Sequence, residues 1–224
     1  MSSFIVASVG DWNKKVFDQR SKGMEGEWYF ASTLDEFNEL LETITPKYIF
    51  FPHWRWPVDK NIIDKYECVC FHMTDLPYGR GGSPLQNLLV RGHKETVLSA
   101  LQMEEGLDTG PIYYKRPLSL SGSAHEIYQR AAELSWEMIL EFVETEPQSK
   151  SQEGEPVVFK RRNPDDSKIP VGLNLEQVYD YIRMLDAPDY PLAYVECGDL
   201  RLEFDKAELD GNEIVASVKI RLKG

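Results

Sequence analysis

Apolar positions along the first half of the chain mark a series of short strands and helices. Phe4 to Val9 is a continuous apolar run closed by Gly10, which predicts a fully buried first strand. Asp11 can cap a helix running to about Arg20. Glu27 to Ala31 predicts a second strand. Thr33 and Glu36 then have the spacing of a capping box, ahead of a helix with Leu34, Phe37, Leu40 and Leu41 on one side. Tyr48 to Phe51 predicts a third strand, and Pro57 the start of another helical segment. Strand and helix thus alternate, which predicts an α/β fold with a mainly parallel, Rossmann-like sheet.

The stretch 68–110 departs from this rhythm. Cys68, Cys70 and His72 stand at i, i+2 and i+4, a spacing that puts three reactive side chains on one face of a strand. The chain then breaks at Leu76-Pro77 and turns through Tyr78 to Gly82. A short helix is expected from Ser83 and an apolar strand from Thr96 to Met103. Gly106 to Gly110 closes the stretch as a tight loop carrying Asp108. Ligands of open α/β sheets bind beyond the carboxyl ends of the strands, where Gly10, His53, His72 and Asp108 are expected.

After Gly110 the pattern predicts an extended segment from Pro111 to Leu120. A capping box at Ser123 and Glu126 follows, then a long helix with Ile127, Leu134, Met138 and Phe142 at helical spacing. Residues 146–156 are polar with Pro and Gly, a linker composition. The expected division is a catalytic domain over 1–145, a charged connecting segment over 146–172 and a small α+β appendage over 173–224. The appendage would hold one amphipathic helix (about 174–186) and strands at 193–197, 199–204 and 213–222, turning at Gly198 and Asp210-Gly211.

Charge changes the picture of partners. With 25 Lys and Arg against 37 Asp and Glu, the net charge is −12, which argues against nucleic acid because phosphate binding depends on clustered cations. Three cysteines make no disulfide framework. No apolar run has the length of a membrane span and no signal-peptide pattern opens the chain, so a cytoplasmic protein without membrane partners is expected. Cys68, Cys70 and His72 could be read as part of a zinc site, but the spacing is not the usual one and a fourth ligand is not evident, so no metal is expected. A histidine ending one strand and an aspartate in the loop after another is the arrangement of an acid/base pair.

The residues His72, Leu76, Pro77, Arg80 and Gly81, followed by Gly106-Leu107-Asp108-Thr109-Gly110, resemble the motif of the N10-formyltetrahydrofolate-dependent formyltransferases. His72 and Asp108 lie 36 residues apart, similar to the family interval. The resemblance covers most of 1–145 and implies the formyltransferase fold, with N10-formyltetrahydrofolate as co-substrate and a primary amine as acceptor. It implies that His72 takes the amine proton, while Asp108 orients the ring and offsets the charge it gains. By the same resemblance His53, Trp54, Arg55 and Trp56 would cradle the pterin together with Glu105, Gly106, Leu107 and Asp108. Met73, Thr74, Arg80, Gly81, Arg161 and Arg162 would meet the acceptor. The family asparagine two residues before the histidine is Cys70 here, a poorer hydrogen-bond donor than an amide. Loss of such a donor typically costs roughly 10²–10³ in rate, and Asn87 is the candidate replacement.

Arg161-Arg162-Asn163-Pro164-Asp165-Asp166 is similar to a segment of nucleotide-sugar formyltransferases, and the run from His72 to Leu88 to those of pseudaminic acid biosynthesis. The resemblance therefore implies a nucleotide-linked 4-amino-4,6-dideoxy sugar, UDP-linked, as acceptor. The three short C-terminal strands leave an unprotected edge, open either to capping the acceptor site or to a homodimer interface. Two alternatives stay open at this point, a formyltetrahydrofolate hydrolase using the same His and Asp, and a non-catalytic folate- or nucleotide-sugar-binding module.

Overall fold

In a computed structural model, which describes residues 1–223, the chain forms two compact units, each discontinuous in sequence. The first comprises Met1–Gly81, Thr96–Leu118 and Tyr128–Val158, the second Gly82–Glu95, Ser119–Ile127 and Phe159–Gly224.

The first unit begins β1 (Ser3–Ser8), α1 (Asp11–Arg20), β2 (Glu27–Ala31), α2 (Leu34–Thr43), β3 (Tyr48–His53), α3 (Lys60–Lys65) and β4 (Glu67–His72). β5 (Tyr78–Gly81) follows. After α4 (Pro84–Leu89), which belongs to the second unit, come β6 (Glu95–Gln102), β7 (Ile112–Ser119), the long helix α5 (Ala124–Thr145) and β8 (Val157–Phe159). Six strands form one sheet in the order β2-β1-β3-β4-β6-β7, while β5 and β8 pair separately. β1 runs parallel to β2 and β3, and β3 parallel to β4. The α/β fold with a mainly parallel sheet is thus observed.

The continuous apolar runs of β1 and β3 follow from burial on both faces. Ile5, Ala7, Ile49, Phe51 and Cys68 form one buried cluster with Ala31 and Phe37, against which Leu34, Leu40 and Leu41 of α2 and Ile62 of α3 pack. The alternate residues face α1 and α5. Phe142 meets the rings of Tyr48 and Phe50 edge-on at 5.0 and 5.6 Å, and Trp136 meets Phe17 at 5.8 Å. Edge-to-face pairs of this kind add about 0.5–1.5 kcal/mol each beyond area burial.

Three local expectations are corrected. Gly10, at φ +87°, stands at the N-cap of α1 and offers no side chain, with Asp11 already inside the first turn. α3 starts at Lys60 and is capped by Asp59, whose carboxylate accepts from the Asn61 amide at 2.8 Å, rather than starting at Pro57. Tyr78 to Gly81 is a strand rather than a turn, because β8 arrives from far along the chain to pair with it.

The second unit contains α4, α6 (Leu175–Arg183) and an antiparallel sheet β11-β10-β9 of Glu213–Leu222, Leu200–Asp210 and Ala193–Cys197. Its three separate chain segments are tied by long-range polar contacts. The buried Arg183 guanidinium pairs with Asp180 at 2.7 Å and donates to the carbonyls of Leu120 and Gly122, and Gln86 donates to the Met184 carbonyl at 3.1 Å. These contacts cut across the sequential division at 145 and 172. Among the described residues no helix is long and apolar enough to cross a membrane.

Candidate active site

His72 ends β4 with its side chain buried. Its Nε2 stands 2.8 Å from the Gly79 carbonyl oxygen, which can only accept, so Nε2 carries the hydrogen. The other ring nitrogen, Nδ1, faces Asp108 Oδ2 at 3.6 Å. The same carboxylate oxygen accepts from the Gly81 amide at 2.8 Å. Asp108 itself sits at φ +55°, a left-handed conformation that Asp tolerates better than most residues.

Reaching His72 is not automatic for Asp108. β6 runs antiparallel to β4, with Gln102 opposite Val69 and Ser99 opposite His72. The loop after β6 therefore starts about 10 Å short of the His72 level along the strand, at the rise of an extended chain. It folds back to deliver the carboxylate, where a simple strand-end position had been expected. Gln152 holds it there. Gln152 Nε2 donates to the Asp108 and Gly110 carbonyls, both at 2.8 Å, while its Oε1 accepts from Arg80 Nε at 3.0 Å and Nη2 at 2.7 Å. Sequence reasoning missed Gln152, since nothing in the polar stretch 146–156 distinguishes it.

Cys70 lies on the same strand, two residues before His72. Burial raises its thiol pKa, and the charge of Asp108 raises it further, so it stays a neutral thiol. Burial likewise pushes Cys68 up to about 12, with Glu67 adding to the effect. Among the described residues no three His, Cys, Asp or Glu side chains are grouped as a metal cage.

The residues expected around a folate are spread along two loops. His53 ends β3, and its ring packs against Trp12 at 5.9 Å and Tyr128 at 4.9 Å, two rings that also stack on each other. Burial, with Arg55 contributing, lowers its pKa to about 4, so the ring is neutral. Trp54 packs edge-on against Phe37 and Trp56, with its indole Nε1 buried and unpartnered. Arg55 is exposed and stands over the Trp56 ring. Glu105 is exposed and pairs with Lys60 at 3.1 Å. Gly106 is exposed at φ +142°, and Leu107 is 67% exposed.

Of the residues expected to meet an acceptor, Met73 and Thr74 are buried, the Thr74 hydroxyl lying 3.4 Å from the Gly79 carbonyl. Gly81 contributes its amide to Asp108, and Arg80 is engaged by Gln152. Arg162 donates to the Tyr181 hydroxyl and the Asp166 carbonyl within the second unit. Arg161 is exposed and crosses Gly82 so closely that a Cβ there would stand 2.5 Å from the Arg161 Cβ.

Asn87 is corrected as an oxyanion donor. Its amide nitrogen donates to the carbonyls of Gly82, Ser83 and Lys160 at 2.9–3.1 Å, and its oxygen accepts from Arg91. Two N–H groups shared among three acceptors leave nothing to offer.

Comparisons with known proteins bear on the whole chain. A family model described as "Formyl transferase" matches residues 14–143, and one described as "Methionyl-tRNA formyltransferase, C-terminal domain" matches residues 164–221. A solved structure described as methionyl-tRNA formyltransferase from Clostridium thermocellum is 42% identical, with a TM-score of 0.93 and 100% of both chains covered. The methionyl-tRNA formyltransferase of Thermodesulfovibrio yellowstonii is 27% identical over 80% of this chain, which spans 60% of that relative's length.

Two further likenesses speak for the fold alone. HypX from Aquifex aeolicus in complex with tetrahydrofolic acid is 15% identical, with a TM-score of 0.73 over 91% of this chain and 37% of that one. A 4-N formyltransferase from Francisella tularensis is 12% identical, with a TM-score of 0.66 over 100% and 98%.

These findings overturn the nucleotide-linked amino sugar as acceptor, the assignment to pseudaminic acid biosynthesis and the exclusion of nucleic acid partners. The segment from Arg161 on resembles nucleotide-sugar formyltransferases in its short charged motif, yet residues 164–221 match the model of the methionyl-tRNA formyltransferase C-terminal domain. With more than half its length matched by the family model and a full-length likeness at 42% identity, the chain belongs to the formyl transferase family.

Proposed function

We propose that this protein transfers the formyl group of N10-formyltetrahydrofolate to the amino group of methionyl-tRNA. The observation that carries this reading is the 42% identity to a methionyl-tRNA formyltransferase over the full length of both chains. The match of residues 164–221 supports the same acceptor.

The residues suit such a donor. Leu107, 67% exposed, and the main chain of the Gly106–Gly110 loop offer an apolar contact and backbone polar groups to a flat heteroaromatic ring. When bound, the donor supplies an electrophilic formyl carbon on a nitrogen that leaves once an amine has attacked. The chain's part is to move a proton and balance charge. His72 Nδ1 is the ring atom left open by the Nε2–Gly79 bond, and it takes the proton that the attacking amine sheds. The ring then carries a positive charge, which Asp108 Oδ2 offsets from 3.6 Å. The same proton passes to the leaving nitrogen, so the pair ends as it began.

The number of phosphates gripped is read from how steeply tRNA binding weakens with salt. The test is formyl transfer from N10-formyltetrahydrofolate, read as tetrahydrofolate release and as formylmethionine on the tRNA. Methionyl-tRNA, uncharged tRNA and free methionine are offered in parallel. Turnover with methionyl-tRNA alone supports the reading. Tetrahydrofolate released without any amine, or no transfer to methionyl-tRNA, overturns it.

A further inference from the structure

Asp108 is held at His72 by contacts that neither residue supplies. The loop that carries it starts opposite Val69, folds back along β4 and reaches His72 with Asp108 at φ +55°. Left-handed backbone is costly for a residue with a Cβ, and the fold-back spends two main-chain carbonyls, Asp108 and Gly110, that no strand partner takes up. Gln152 donates to both. One amide nitrogen donates to the two carbonyls at 2.8 Å each, bracketing Thr109. The amide oxygen is fixed in turn by two bonds from the Arg80 guanidinium, at 3.0 and 2.7 Å. The next residue along β5, Gly81, closes the circuit with its amide on Asp108 Oδ2 at 2.8 Å.

Resting on the formyltransferase reading, we propose that Gln152 is a positioning residue, setting the distance between Asp108 and His72 through the backbone of the 106–110 loop, with Arg80 as its anchor. An amide suits this place because it offers two N–H donors to the carbonyls and an oxygen acceptor to the guanidinium at once, where a hydroxyl has a single donor and a carboxylate none. Arg80 then serves the reaction through Gln152. Catalytic geometry is sensitive at this scale, since a misplacement of about 1 Å can cost roughly 10²-fold.

Gln152→Glu separates the two faces of the amide. The carboxylate still accepts from Arg80 but cannot donate to Asp108 or Gly110. The expected result is a kcat roughly 10- to 100-fold lower in both Gln152→Glu and Gln152→Ala, on the scale set by a small misplacement of reacting groups. The double variant Gln152→Ala/Asp108→Ala should be no slower than Asp108→Ala alone, since a residue that acts through a carboxylate has nothing to position once it is gone. Hydrogen exchange reads the same contact without turnover. In Gln152→Glu the Gly81 amide should exchange at least about tenfold faster, while β1 and β3 stay protected. Unchanged kcat with unchanged Gly81 exchange in Gln152→Glu would overturn the proposal, as would losses that multiply in the double variant. If the unaltered protein transfers no formyl group, the functional reading fails, and the Gly81 exchange still decides for or against Gln152.

Discussion

His72 Nε2 and the Gly79 carbonyl oxygen are 2.8 Å apart, and this bond determines which ring nitrogen does the chemistry. With Nε2 spoken for, the proton taken from an amine arrives at Nδ1, on the side of Asp108. In the neutral protein the ¹⁵N spectrum of His72 should therefore show a protonated Nε2 and an unprotonated Nδ1. The reverse pattern would remove Nδ1 as the acceptor. His72→Ala should lower kcat by about 10²–10⁴, the usual worth of a positioned acid/base group, and should also destabilise by about 1–3 kcal/mol, because the buried ring's bond to the Gly79 carbonyl is lost.

Cys70 occupies the place where the family resemblance expects an asparagine. Its thiol is held neutral by burial and by Asp108, so it contributes neither a good donor nor a nucleophile. Cys70→Asn should raise kcat by about tenfold or more, because one well-placed amide donor is typically worth 10²–10³ in such sites. No gain in a folded variant would mean that this position does not face the developing charge. Thiol labelling at neutral pH gives an independent check. Of the three cysteines only Cys197 is exposed, so one label per chain is expected before denaturation and three after it.

The parallel half of the sheet was legible because its signals are local. Strand 27–31 was read at its observed bounds, and α1 starts one residue earlier than expected because Gly10 stands at its cap. Thr33 caps α2, with the Glu36 amide donating to the Thr33 hydroxyl at 3.2 Å, while the Glu36 carboxylate accepts from Ser32 instead of closing the box. The His72–Asp108 spacing was legible too. β5 was not, because Tyr78-Gly79-Arg80-Gly81 has turn composition and its partner β8 lies far along the chain. Gln152 was hidden for the same reason, since its worth lies in carbonyls more than forty residues away. Asn87 misled because a side chain's free donors cannot be counted before its neighbours are known. The acceptor was misjudged because an overall charge of −12 says little about one local contact, and short charged motifs are shared among related enzymes.

His53 makes stability depend on pH. Its pKa is lowered from 6.5 to about 4 by burial, with Arg55 adding to the effect. The folded protein keeps the ring neutral, whereas the unfolded chain protonates it below its ordinary value. The contribution is thus fully present above about pH 6.5 and is lost as pH falls toward 4, by up to roughly 3 kcal/mol at about 1.4 kcal/mol per unit. Urea unfolding at about pH 7.5 and about pH 5 should show a smaller loss for His53→Gln than for the unaltered protein, by roughly 2 kcal/mol. Equal losses in the two would mean that the ring titrates normally in the folded state.

Gly110 is constrained by space, which sets it apart from the glycines that supply a turn. A Cβ there would come 1.8 Å from the Gln102 carbonyl oxygen, a backbone atom that cannot swing aside. Gly92 is the natural contrast, with φ +76° and nothing within 4 Å of an added Cβ. Gly92→Ala should cost about 1 kcal/mol through backbone conformation alone and leave kcat unchanged. Gly110→Ala should destabilise by about 1–3 kcal/mol, as overpacking does. It should also lower kcat well beyond Gly92→Ala, because moving residue 110 away from the Gln102 carbonyl also moves its own carbonyl, one of the two that Gln152 grips beside Asp108. Thermal unfolding and steady-state turnover of the two variants, measured side by side, separate the effects. A Gly110→Ala protein that is destabilised but turns over normally would show that the loop tolerates displacement and that its grip on Asp108 is slack.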